Sequence, residues 1–167
     1  MRAAQRWLLW GVAVVCLSSL PWLASHVVYQ GSASMPRGWY LGLPVHRPLT
    51  RGMLVFLDLP PAVQQMAVDR HYLPPRAVLL KPLAALPGEV LCWEGPTVTA
   101  PGTTVTRLPT DSQGRSLPAQ PAGCQVLGPE EMAVLSTYHP RSWDSRYFGP
   151  LPVSAIRWEA TPLWTWP

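Results

Sequence analysis

Two residues in this chain have the type and surroundings for covalent chemistry. Ser34 lies in Gly31-Ser32-Ala33-Ser34-Met35-Pro36, shortly after the one membrane-length apolar stretch. A serine hydroxyl is a weak nucleophile at neutral pH, so it needs a base within hydrogen-bond reach and donors for the oxyanion that forms when it attacks a carbonyl. The candidate base is Lys81, set in the apolar run Val78-Leu79-Leu80-Lys81-Pro82-Leu83-Ala84-Ala85-Leu86 and the single lysine among the 13 Lys+Arg residues. Arginine stays protonated in proteins, whereas a lysine stripped of water can give up its proton. Lowering such an amine from about 10.4 to roughly 7 or 8 costs about 3 to 5 kcal/mol, which burial in this run could supply. Taken by itself, a lone lysine reads more simply as one that snorkels from a strand edge, and only its pairing with the serine motif favours a base.

Holding these two residues together calls for a scaffold, and the composition describes one. The 48% hydrophobic and 13% charged residues, with 21 prolines and 12 glycines in 167, predict one loop-rich, mostly β domain. Strands are expected over 38–43, 51–58, 76–83, 89–93, 124–127, 132–135 and 156–159, with a hairpin arm over 97–106. Pro60-Pro61 opens a short helix to about Arg70 that packs Val63, Met66 and Ala67 on one face. Pro109 to Gly123 reads as an exposed loop, and Trp164 and Trp166 sit in a tail. The net charge of +4 is scattered, so nothing here marks a nucleic-acid partner.

Trp7 to Val28 would span about 33 Å as a helix, enough to cross a bilayer. Arg2 and Arg6 precede it and keep the N-terminus cytoplasmic by the positive-inside rule. Cleavage near Leu23-Ala24-Ser25 is disfavoured, because Trp22 or Leu23 would occupy a position that requires a small residue. The expected division is therefore a cytoplasmic N-terminus and transmembrane anchor over 1–28 and an exported catalytic domain over 29–167. Ser34 then lies within roughly 22 Å of the membrane surface. In an oxidising compartment Cys92 and Cys124 are expected to form a disulfide. His26, His46, His71 and His139 lack partners at ligand spacing, so no metal or cofactor is expected.

Three blocks stand in one order: Gly-Ser-Ala-Ser-Met-Pro at 31–36, the Lys81 strand ending in Leu-Pro-Gly-Glu, and Asp144-Ser145-Arg146-Tyr147-Phe148-Gly149-Pro150. Together they resemble the signal peptidase I family, and Ser-Met-Pro-Arg-Gly-Trp-Tyr at 34–40 is most similar to its TraF-type conjugative-transfer peptidases. The resemblance implies a signal-peptidase-like β-rich catalytic domain behind one N-terminal transmembrane helix, in the bacterial inner membrane with the domain in the periplasm. It implies Ser34 as nucleophile, Lys81 as general base, Ser32 as an oxyanion-hole hydroxyl, Ser142 as a hydrogen-bond partner of the lysine, and Asp144 with Arg146 as the pair that stiffens the loop. Three departures stand out: Met53 follows Arg-Gly where an acid is usual, Pro82 follows the lysine, and Ser136-Thr137 replaces a Gly-Asp.

The expected activity is a serine endopeptidase that removes leader peptides from exported precursors, matures a conjugative pilin, and cyclises it where an internal amine releases the acyl-enzyme. Its partners would be a precursor or prepilin and membrane lipid. The alternative is a catalytically idle, membrane-anchored assembly subunit that keeps only the fold. A self-cleaving repressor would need a DNA-binding head in place of the anchor, and is rejected.

Overall fold

The computed structural model describes Trp7, Trp10 and residues 26–167. The expected membrane span lies almost wholly outside the described residues; among those described, no helix is long and apolar enough to cross a membrane. Its expected last residues, Val27 and Val28, are in fact strand. They open β1 (Val27–Gln30), which pairs antiparallel with β2 (Arg37–Leu43) and sets Gln30 opposite Gly38.

The rest of the chain follows in order as β3 (Leu54–Leu57), α1 (Pro61–Asp69), β4 (Leu79–Ala85), β5 (Val90–Glu94), β6 (Thr97–Ala100), β7 (Thr103–Thr106), β8 (Gly123–Val126) and β9 (Glu131–Val134). The last elements are α2 (Ser145–Phe148), β10 (Leu151–Pro152), a 3-10 turn (Val153–Ala155) and β11 (Ile156–Trp166). The fold is mostly β, as expected. Seven strands form one sheet in the order β1-β2-β11-β3-β4-β9-β10, and four form a second, β7-β6-β5-β8.

β4 is central to the larger sheet and buried on both faces, which is why its sequence reads as an unbroken apolar run rather than an alternating one. Leu79 and Leu83 enter a core with Val55, Leu57, Met132 and Val134. Leu80 packs from the other face with Met35, Tyr40 and Phe56. Ala84 and Ala85 join Leu91, Trp93, Val98 and Ala133 in the core between the two sheets. Side chains alternate along a strand, so Lys81 shares a face with Leu79 and Leu83. It is anchored among aliphatics by the strand that carries it.

β11 differs most from expectation. It runs through Pro162 to Trp166 rather than stopping near Glu159, and it pairs with both β3 and β2. A proline interrupts a ladder, and the register shifts between Pro162 and Trp164, so the strand absorbs it as a bulge. The close approach of β11 to β2 also explains Gly38, which has φ 141°. A Cβ there would collide with the carbonyl oxygen of Trp164. In the second sheet Cys92 on β5 faces Cys124 on β8, and the two are joined as a disulfide.

Candidate active site

Ser34 sits in the loop of the β1–β2 hairpin. Next to it Met35 is buried against Tyr40 and Phe56, and the Tyr40 hydroxyl donates to the Pro36 carbonyl at 2.8 Å, so the loop is tied down on its C-terminal side. On the other side, Gln30 Nε2 donates to the Ser32 carbonyl at 3.1 Å and to Ser32 Oγ at 2.7 Å. The Ser32 and Ser34 hydroxyl oxygens are 2.9 Å apart.

β4 brings Lys81 to this loop from 47 residues away, with Nζ and Ser34 Oγ hydrogen-bonded at 2.6 Å. Lys81 is 0% exposed. Burial lowers its pKa from 10.5 to about 8; the Asp144 carboxylate pulls the other way and the Arg146 guanidinium adds to the lowering. An amine that loses its proton near pH 8, against a serine hydroxyl, can act as a general base towards it.

Ser136, just past the end of β9, donates from Oγ to the Ser34 carbonyl at 2.7 Å. Its own N–H donates to Asp144 Oδ2 at 3.0 Å, and its carbonyl accepts from Arg146 Nη2. Asp144 and Arg146 are fully buried and bidentate, at 2.7 and 3.0 Å. Arg146 also donates to the carbonyls of Thr106 and Pro140, at 3.1 and 3.2 Å, so its five N–H groups all have acceptors. The pair thus stands behind the Ser34 loop, with Ser136 as the link.

Ser142 does not make the bond expected of it. It is fully buried, but its Oγ has no hydrogen-bond partner among the described residues, Lys81 included. Ser32, Ser34, Lys81, Asp144 and Arg146 gather at one place, while the Ser142 hydroxyl makes no polar contact to Ser34 or Lys81.

A cleft of about 220 Å³ opens in front of Ser34 and Lys81, with an apolar lining that includes Leu79, Leu117, Trp143 and Tyr147. One wall is formed by part of the segment expected to be an exposed loop. Asp111 closes it onto the end of α1: Tyr72 donates to its carboxylate at 2.6 Å, and Arg115 Nε at 2.7 Å. Burial pushes this carboxyl up, but hydrogen bonds from Tyr72, Arg115 and the Gln113 N–H outweigh it and hold the group well below the usual carboxylate range. Among the described residues no three His, Cys, Asp or Glu side chains come together as a metal site.

Gln30, Ser136 and Asp111 were not singled out by sequence reasoning. The replacement of Gly-Asp by Ser136-Thr137 was a visible signal for one of them. For Asp111 the signal was its spacing from Gly114 and Arg115, which suits a side chain that folds its own turn.

A mostly β domain that sets a buried lysine against a serine at a cleft is suited to acyl transfer through the serine oxygen. The chain belongs to the signal peptidase family, peptidase S26, whose profile matches residues 2–165. It is 34% identical over 145 residues to the conjugal transfer protein TraF of Agrobacterium fabrum, covering 79% of this chain and 78% of that one. It is 36% identical to the plasmid transfer protein TraF of Escherichia coli over 59 residues, 35% of this chain and 33% of that one. Among solved structures, a signal peptidase I from Enterococcus faecalis aligns with TM-score 0.40 and 18% identity, over 69% of this chain and 98% of the other.

Proposed function

We propose that the chain is a membrane-anchored serine endopeptidase that removes leader peptides from exported precursors by a Ser34–Lys81 dyad. The observation that carries this reading is the 2.6 Å contact between Ser34 Oγ and an amine whose pKa burial lowers to about 8. Neutral Lys81 takes the Ser34 proton as the oxygen attacks the scissile carbonyl, and the oxyanion is held by the Ser32 hydroxyl and the Ser34 N–H. Lys81 then passes the proton to the departing amine, which leaves an ester on Ser34. Water, deprotonated by Lys81, attacks the ester and frees the new C-terminus. Where an internal amine of the substrate attacks instead, the product is cyclic.

The names of the relatives direct the substrate towards conjugal transfer, which makes a prepilin the expected precursor. We place the domain at the periplasmic face of the inner membrane; contact with a bilayer surface is supported by a cluster of exposed rings on β1, β2 and β11. Tyr29 lies 5.1 Å from Trp39, and Trp164 6.1 Å from Trp166. Such rings suit a headgroup layer.

An idle assembly subunit would have no use for a charged group buried at a cost to stability. Co-expression of a candidate prepilin with the wild type and with Ser34→Ala, with the products weighed by mass spectrometry, separates the two readings. Mature product with the wild type alone supports the peptidase. Identical products from both would discard it, and a mass short by one water would identify cyclisation.

A further inference from the structure

We infer that Gln30 is a positioning residue that locks the Ser32 hydroxyl beside the nucleophile and biases its proton towards Ser34. This rests on the reading of Ser34 and Lys81 as nucleophile and base.

Gln30 closes β1, and its backbone is fixed by the pairing with Gly38. Its Nε2 reaches two atoms of one residue, the Ser32 carbonyl oxygen at 3.1 Å and Ser32 Oγ at 2.7 Å. A carbonyl oxygen can only accept, so the amide atom facing it is the NH2 end, and the orientation of the amide follows from its contacts. Both amide hydrogens are then committed. Clamping Oγ and the backbone of Ser32 from one nitrogen fixes the Ser32 side-chain torsion, in a loop where Gly31 and Ser32 are both exposed.

The donated bond also polarises the hydroxyl. Ser32 Oγ accepts from Gln30, which makes its own hydrogen a better donor. Ser34 Oγ, 2.9 Å away, is the acceptor in reach. When Lys81 is neutral the Ser34 hydrogen points to Nζ, and the Ser34 oxygen is free to accept from Ser32. The result is a row of hydrogen bonds in which Gln30 donates to Ser32, Ser32 to Ser34 and Ser34 to Lys81, all aligned with the transfer of the serine proton to the amine. Once Ser34 Oγ has bonded to the scissile carbon it accepts poorly, and the Ser32 hydroxyl, still held by Gln30, is available to the oxyanion that forms in the same step.

The test uses the full chain in detergent micelles and an internally quenched peptide with alanine at the first and third positions before the scissile bond. Wild type, Gln30→Leu, Ser32→Ala and the double variant are compared for kcat and KM. Gln30→Leu is expected to lose kcat about tenfold with KM within about twofold, and to have no further effect in the Ser32→Ala background. Wild-type kcat in Gln30→Leu, or an equal loss in both backgrounds, would overturn the inference. If Ser32→Ala has no measurable turnover, Gln30→Glu decides at about pH 9, above the lysine titration. A carboxylate can only accept, so it must fall below leucine, and a variant as active as Gln30→Leu overturns the inference. Cleavage that persists in Ser34→Ala, or a wild type that does not cleave, would instead defeat the peptidase reading beneath it.

Discussion

The hydroxyl of Ser136 donates to the main-chain carbonyl of Ser34 across 102 residues of sequence, at 2.7 Å. This bond links the Ser34 loop to the buried Asp144–Arg146 pair, because the N–H and carbonyl of Ser136 are held by those two side chains. Ser136→Ala should therefore let the Ser34 loop drift from Lys81 without altering the cleft. The expected result is a loss of kcat of about 10- to 100-fold with KM within about twofold. Unfolding in urea should show a loss of about 1 to 2 kcal/mol from the unpaired carbonyl. An unchanged kcat would show that the loop holds itself.

Lys81 carries opposite consequences for stability and for activity. Its folded pKa of about 8 lies below the ordinary 10.5, so between those values the unfolded chain binds a proton that the folded chain does not. Stability from this group therefore rises with pH across that window, and below about pH 8 the fold bears the full cost of a buried charge. Lys81→Met should be more stable than the wild type at pH 7, by about 3 kcal/mol, with the gap closing towards pH 10.5. Activity should climb about tenfold per pH unit up to about 8 and then level. Lys81→Arg should lose on the order of 10³-fold or more, because the charge remains but no base does. Chemical denaturation across pH, beside peptide cleavage, measures both.

The lone lysine in an apolar run and the serine block after the apolar stretch could be read without coordinates because each is local: a few neighbouring residues define its chemistry. Partners separated by a long stretch of chain could not be. Nothing around Ser136 announces the carbonyl it meets, since that pairing depends on β9 lying beside β4 and β4 delivering Lys81 to the hairpin loop. The last strand was expected to stop near Glu159, and the bulge between Pro162 and Trp164 lets β11 continue. The polar composition of the segment after Pro109 described its surface correctly, yet said nothing of the wall it forms once Asp111 closes it onto Tyr72. Ser142 was placed by resemblance alone, and in this fold its hydroxyl has no polar partner among the described residues.

Asp144 and Arg146 form a buried pair with every guanidinium hydrogen in use. Removing one partner strands the other charge away from water. Asp144→Ala or Arg146→Ala should each cost about 3 to 5 kcal/mol, measured by urea unfolding. The double replacement should cost less than the two single losses added together, since no charge is left unpaired. Strict additivity would mean that the two residues act through separate contacts rather than as a pair.

Asp111 governs the other wall of the cleft. Its carboxylate gathers Tyr72, Arg115 and the Gln113 N–H, while Arg70 and Arg115 reach across the gap to the carbonyls of Ser116 and Arg70, at 2.8 and 3.0 Å. The carboxyl is held well below its usual range, so the latch stays charged throughout any assay near neutrality. Asp111→Ala releases the wall from α1 but leaves the Ser34–Lys81 contact untouched, because none of the latch residues bonds to either. Substrate binding should therefore weaken while the chemical step survives: KM rises by about three- to tenfold and kcat stays within about twofold, the pattern of lost uniform binding. Limited proteolysis should cut between Pro109 and Leu117 faster in the variant than in the wild type. A fall in kcat at constant KM would place Asp111 in the chemistry and refute its role as a latch.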